Sequence, residues 1–268
     1  MEGLTFVVLL GAVIGLVLAF TGAGGGILSV PLLVFGLHLS VQQAAPIGLS
    51  AVFAAALLGA FLGWRDGIVR YRAAALMGVA GMLTAPLGFY LAQSIPSRPL
   101  TVVFSCVLLY TAWRTLFAPA KAESLRAQAP CVVSAVDQRL TWTRPCARVL
   151  LGTGLLSGLL SGLLGVGGGF VIVPALSRYT DLNIRSVQAT SLAVMTLVSL
   201  SGVASAAVHG SLDWSLVLPF AGGAILALLG GRLLARRLHP KRLQQAFAWF
   251  CVAVAVLMLA RAGGLLSA

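Results

Sequence analysis

Apolar runs about as long as a bilayer is thick recur along the chain, and they restrict its fold more than any motif does. Residues 4–20 and 41–62 contain no Asp, Glu, Lys or Arg. At about 1.5 Å of rise per residue, some 20 apolar residues carry a helix across a hydrocarbon core of about 30 Å. The 268 residues are 59% hydrophobic and only 9% charged, with a mean hydropathy of +1.02, too little charged surface for a water-soluble domain of this length. The short alternating segments of a membrane β-barrel are absent from the sequence. The chain therefore reads as an all-α, multi-pass integral membrane protein whose partner is the lipid bilayer. In its first stretch Glu2 is the only charge and no basic region precedes the apolar run, so this stretch reads as a membrane segment rather than a cleaved signal.

A polar stretch, residues 118–148, separates two hydrophobic halves, 1–117 and 149–268. The halves repeat at an offset of 143 residues. Gly24, Gly25, Gly26 and Pro31 fall on Gly167, Gly168, Gly169 and Pro174; Gly67, Tyr71, Gly88 and Phe104 fall on Gly210, Trp214, Gly231 and Phe247. Glycine blocks, a proline and aromatics in one register indicate a duplicated unit. Each unit divides into five hydrophobic pieces: residues 4–20, 26–39, 41–62, 71–93 and 100–117, then 149–164, 169–179, 186–208, 214–238 and 243–260. The second piece of each is too short for a comfortable crossing.

Loop charges orient the units. The loop with Arg65, Arg70 and Arg72 matches "VHGSLDW", which has no Lys or Arg. The loop with Arg98 matches one with Arg232, Arg236, Arg237, Lys241 and Arg242. The uncharged "GLHLSVQQ" matches a loop with Arg178 and Arg185. Basic loops favour the cytoplasm, so the two units are expected in opposite topology, as inverted repeats. The linker, with Lys121, Arg126, Arg139, Arg144 and Arg148, is then inside and both termini are outside; Arg261 is the exception. The net charge of +12 is accounted for by such loops. Nucleic-acid binding is not expected, because no basic stripe is interleaved with aromatics. A bridge between Cys131 and Cys146 needs an external linker, so an internal one predicts two thiols. Cys106 and Cys251 lie in apolar helices as small hydrophobes.

The motifs "FTGAGGGILSVPLL" and "GLLGVGGGFVIVPAL" carry the functional question. Three consecutive glycines weaken a helix by about 1 kcal/mol each relative to alanine and allow backbone shapes other residues resist. A helix restarting after them has N–H groups without intrahelical partners, costly in lipid unless satisfied. An anion satisfies them, because the helix N-terminus carries about half a positive charge. Gly24, Gly25, Gly26, Gly167, Gly168 and Gly169 are thus candidate substrate-binding positions. Close helix packing is the competing reading, and is preferred for isolated glycines such as Gly11 and Gly202. A nucleotide loop is excluded: Ile27 and Phe170 stand where its second glycine belongs, and no GK[ST] occurs.

Behind each triplet lies a run with neutral donors, "VQATSLAV" and "QQAAPIGLSAV". Thr190, Ser191 and Ser50 are candidates to replace water around an anion, with Ser50 read as the counterpart of Ser191; Thr21, Gln43 and Gln188 are further candidates. The competing reading has the hydroxyls bonding back to their own helices and the glutamines at the membrane surface. No ionisable residue lies in the middle of a crossing, so no side-chain proton relay is visible. No catalytic set, cofactor motif or metal-ligand cluster is visible either, which argues against an enzyme.

On "GAGGGILSVPLL" with "GVGGGFVIVPAL", on "QATSLAV" and on the runs ending "GFYLAQSIP" and "GGRLLARRLHP", the chain resembles the TauE/SafE sulfite exporter family over both hydrophobic halves. The resemblance implies a secondary transporter in the cytoplasmic membrane for a small sulfur-containing anion such as sulfite or a sulfonate. An anion channel or a non-transporting membrane scaffold is the alternative. Unit one departs from the Thr-Ser pattern with Gly48, Leu49 and Ser50, so equal donor contributions from the halves do not follow.

Overall fold

The computed structural model describes residues 2–22, 25–117, 131, 143–235 and 240–262. Gly24 and most of the linker lie outside them. The described residues form ten helices: α1 (Glu2–Thr21), α2 (Gly25–Gly36), α3 (Val41–Arg65), α4 (Tyr71–Ser94), α5 (Ser97–Phe117), α6 (Arg144–Leu164), α7 (Gly169–Tyr179), α8 (Ile184–Val208), α9 (Trp214–Ala235) and α10 (Pro240–Ala262). Seven of them, α1, α3, α4, α5, α6, α8 and α9, are long and apolar enough to cross a membrane. With 12 and 11 residues, α2 and α7 reach only about 18 Å and 16 Å.

Local chemistry places the boundaries. Ser40 and Gln43 close a capping box on α3, which satisfies two donors of the first turn reciprocally. Asn183 accepts from the Ser186 N–H at 2.8 Å to start α8. Thr143 caps α6, with Pro145 in its first turn, so α6 begins five residues before its apolar run. Gly22 and Gly165 end α1 and α6 with φ of 71° each, in the left-handed region that only glycine enters without strain.

Helix packing follows the 143-residue offset contact by contact. Gly11 and Gly15 of α1 face the carbonyls of Phe220 and Ala224 on α9; Gly154 and Gly158 of α6 face those of Met77 and Gly81 on α4. Gly59 lies against Leu192, and Gly202 against Leu49. These isolated glycines admit close backbone approach, as the packing reading has it. The order of the contacts makes α1 parallel to α9, α4 parallel to α6, and the counterparts α3 and α8 antiparallel. Hydrogen bonds also cross between helices, from the Thr84 hydroxyl to the Leu155 carbonyl and from the Ser201 hydroxyl to that of Met82, both at 2.8 Å.

Contacts also sort the loops onto two ends. On one, Arg70 N–H donates to the Thr190 hydroxyl at 3.1 Å, Arg232 lies 3.6 Å from Asp66, and Cys131 N–H donates to the Tyr179 carbonyl. On the other, Gln42 reaches the Ile95 carbonyl, His209 packs on Phe89 and Tyr90, and Arg261 reaches the Val34 carbonyl. The first end holds Arg65, Arg70, Arg72, Arg178, Arg185 and Arg232; the second holds Arg98 and Arg261.

One sequence expectation is corrected here. Cys131 and Cys146 are bonded to each other, not separate thiols. Charge bears on which side of the membrane holds the linker, not on which cysteines meet. The two Cα atoms lie 5.1 Å apart, inside the roughly 4.4–6.8 Å that a bridge needs.

Candidate functional site

The two helix breaks meet. A Cβ on Gly26 would strike the Val166 carbonyl, which lies inside the other break. Val52 of α3 touches both: its methyls lie 3.2 Å and 2.6 Å from where Cβ atoms of Gly26 and Gly167 would be. Each break also leans on the third helix of the other unit, Gly22 on Gln188 of α8 and Gly165 on Ala45 of α3. Gly25, Gly26, Gly167, Gly168 and Gly169 are all buried.

Backbone shape explains why the second triplet must be glycine. Gly167 and Gly168 have φ of 76° and 72°. Gly168 is the N-cap of α7 without a side-chain cap, so the first N–H groups of α7 have no intrahelical partner. At the first triplet, Gly25 packs its backbone near the Ile14 carbonyl, 2.6 Å from a Cβ position.

Unpaired hydroxyls lie on the two helices, α6 and α8, that flank the breaks. Ser161, Ser191 and Ser199 are fully buried, and their oxygens have no hydrogen-bond partner among the described residues. Ser199 Oγ and Met195 Cε lie 3.1 Å and 3.3 Å from the Cβ position of Gly167. Ser191, Met195 and Ser199 are spaced by four, so they share one face of α8. On α6, the Ser157 hydroxyl donates to the Gly168 carbonyl at 3.1 Å, and Ser161 follows one turn later. An unpaired buried hydroxyl costs about 1–3 kcal/mol. Several such groups beside an uncapped helix N-terminus can surround an anion without a buried cation, and none of these residues is ionisable.

The other sequence candidates sit elsewhere or are already bonded. Ser50 donates to the Pro46 carbonyl of its own helix at 2.8 Å, and Thr21 to that of Val17 at 2.8 Å. Thr190 is engaged with Arg70 at the α3–α4 corner. Gln43 is exposed in its capping box. Gln188 is half-buried, its amide 3.4 Å from the Phe20 carbonyl. The register in the packed structure pairs Ser191 with Gly48 and Ser50 with Ala193, which corrects the matching of Ser50 to Ser191. Ser157, Ser161 and Ser199 escaped sequence reasoning. Their signal was available in the spacing of four between Ser157 and Ser161 and of eight between Ser191 and Ser199. Among the described residues no three His, Cys, Asp or Glu side chains converge to hold a metal.

The sequence profile of the family described as "Sulfite exporter TauE/SafE" matches residues 7–258. The chain belongs to the TauE/SafE family. That span includes both breaks and every candidate site residue. A "Probable membrane transporter protein" of Xylella fastidiosa (strain 9a5c) is 30% identical over 94% of this chain and 93% of its own length. The "Probable membrane transporter protein YdhB" of Bacillus subtilis (strain 168) is 25% identical over 94% and 98%. A similarly described protein of Methanocaldococcus jannaschii is 26% identical over 75% and 72%. This TauE/SafE protein is thus a multi-pass membrane protein of the transporter type and not an enzyme.

Proposed function

We propose that the protein is a secondary transporter that exports a small sulfur-containing anion, such as sulfite or a sulfonate, across the cytoplasmic membrane. The observation that carries this reading is the meeting of the two helix breaks between α6 and α8, which bring Ser199 to Gly167 and carry the buried hydroxyls of Ser161, Ser191 and Ser199, without partners among the described residues. The substrate site comprises Gly24, Gly25, Gly26, Gly167, Gly168, Gly169, Ser191 and Ser199, with Ser161 beside them; Ser50 and Thr190, whose hydroxyls are engaged with the Pro46 carbonyl and the Arg70 N–H, hold the surrounding helices without bonding the ion. Because Gly25, Gly26, Gly167, Gly168 and Gly169 are buried, an ion reaches them only when the helices move. Two units packed through the same contacts in exchanged order support alternating access.

The antiparallel crossing of α3 and α8 supports inverted repeats, since counterparts related by an axis in the membrane plane run in opposite directions. Concentration of arginine at one end supports a cytoplasmic position for that end and for the 118–148 linker. Counterflow in proteoliposomes tests the transport reading: external sulfite should accelerate efflux of labelled internal sulfite, saturably. Unsaturated, voltage-driven current without counterflow would replace it with a channel, and absence of any flux for a panel of sulfur oxyanions would remove it.

Orientation has its own test, in cells expressing a variant with Cys106→Ala and Cys251→Ala. The Cys131–Cys146 bond favours an external linker and the arginines an internal one; if the linker is cytoplasmic, the reducing pool opens the bond, and Cys131 and Cys146 react with a permeant maleimide without added reductant and resist an impermeant one. Reaction with the impermeant reagent, only after external reductant, would turn the molecule over.

A further inference from the structure

A cavity of about 210 Å3 lies at the C-terminal end of α2, at the opposite end of that helix from the glycines. Val34, Phe35 and Met258 form an apolar wall, and Arg98 and Arg261 supply the charge. Among the described residues no carboxylate lines it. The hydroxyls around it are committed: Ser40 donates to Gln43, Ser97 to Gln42 and Thr101 to the Ser97 carbonyl. The remaining donors are guanidinium N–H groups.

These two arginines are the cations found on the arginine-poor end of the described molecule, where the charge rule for membrane insertion disfavours them. Both converge on one cavity. Part of Arg261 has a packing role, since one N–H donates to the Val34 carbonyl at 3.3 Å and the guanidinium lies 6.0 Å from the Phe35 ring centre. A cation there complements the negative end of α2. That bond leaves most of its donors unused and accounts for nothing about Arg98. The cavity is several times the roughly 30 Å3 that a water occupies in the liquid.

We propose that this cavity binds an oxyanion between Arg98 and Arg261. Guanidinium groups hold such oxygens through paired, charge-assisted hydrogen bonds. The oxyanion is presented either free in solution or as the phosphate of a lipid headgroup, since the apolar wall stands at the membrane boundary. A free ion held here lies about 18 Å from the helix breaks, the length of α2, on the side to which an exporter releases it. That role in the transport path rests on the anion-transporter reading; binding itself does not.

Arginine modification by phenylglyoxal, read by peptide mass spectrometry on the full chain in detergent, tests the site. In delipidated protein, sulfate at matched ionic strength against gluconate should slow modification of Arg98 and Arg261 together, about fivefold or more, and leave Arg72 and Arg185 unchanged. If the source is lipid, phosphatidylglycerol rather than sulfate gives that paired protection. Arg98→Gln should abolish protection at Arg261 although the bond to Val34 is untouched, whereas a guanidinium that only caps α2 would be unaffected. Equal rates with and without sulfate and phosphatidylglycerol would overturn the proposal. Counterflow lost with protection intact would break the transporter reading alone; protection lost with counterflow intact would break this site alone.

Discussion

The two helix breaks share a sequence pattern and a packing register but differ in chemistry. In the second unit, Ser157 and Ser199 flank Gly168 and Gly167, and the buried hydroxyls of Ser161, Ser191 and Ser199 on the same two helices have no partner among the described residues. At an offset of 143, the first break has Ile14, Leu18, Gly48 and Ala56 in those places. Its own hydroxyls are spent locally, Ser29 on the Gly26 carbonyl at 2.6 Å and Ser50 on that of Pro46. Duplication thus preserved the shape of the backbone break while polar capacity collected on one side. Shape is maintained by every contact the glycines make, whereas one good set of donors suffices for a small anion.

If shape is common to both breaks, enlarging either should be ruinous. Gly167→Leu forces a side chain into a left-handed conformation, at about 1–2 kcal/mol, and into Val52. Gly26→Leu drives one into the Val166 carbonyl. Both should lose folded yield in size-exclusion profiles of the purified protein. Normal yield of Gly26→Leu beside collapse of Gly167→Leu would show that the first break has no shape requirement of its own.

Donor chemistry should separate them next. Ser191→Ala with Ser199→Ala should weaken anion affinity about tenfold or more, as loss of two donors to a charge implies. Thermal stability without ligand should hold or rise, since two unpaired buried hydroxyls disappear. Ser29→Ala with Ser50→Ala should leave affinity unchanged. Binding isotherms for both double variants decide the matter; equal losses would erase the proposed asymmetry.

A third change attempts to make the breaks alike. Gly48→Ser puts a hydroxyl where unit two has Ser191, but its Cβ would come 2.6 Å from Ser29 Oγ. It should destabilise by about 1–3 kcal/mol through overpacking, and Ser29→Ala should relieve it in a thermal melt. No relief would mean that Ser29 is not what keeps position 48 small.

The loop carboxylates should matter least. Asp66→Asn removes only an exposed pair with Arg232, a class of interaction worth about 0–1 kcal/mol. Asp213 caps the start of α9; bonds from the Ser215 hydroxyl and N–H hold its carboxyl below the usual 3.8. Its contribution is whole above that value and fades as pH falls through the lowered pKa, so a melt between pH 8 and 5 should not respond to it. Neither Asp66→Asn nor Asp213→Asn should shift anion affinity beyond about twofold, well under the 1.4 kcal/mol of a decade. A tenfold loss from either would place a carboxylate in the site.

Much of the architecture was legible before folding. The ten hydrophobic pieces match the ten described helices to within a few residues, because apolar length and flanking loop charge are local properties. The breaks were legible because three glycines before a proline cannot continue a helix cheaply. Pairing of Thr190 with Arg70 was not, since the two lie 120 residues apart. The Cys131–Cys146 pair was legible as a possible bridge, but the loop charges argued for two thiols, and only the structure shows the two sulfurs joined.

What the sequence by itself determined is therefore a membrane protein of duplicated units, each interrupted at a glycine triplet. Only the tertiary structure decided which hydroxyls are left unpaired beside those interruptions. The helices are apolar on nearly every side, so no stripe in the sequence marks the face that turns inward. A serine can bond to its own helix, to a neighbour or to a ligand, and the choice depends on what packs within about 3 Å of its oxygen. Ser50 and Ser191 look alike in the sequence; the backbone of its own helix satisfies Ser50, and the packing around α8 leaves Ser191 open.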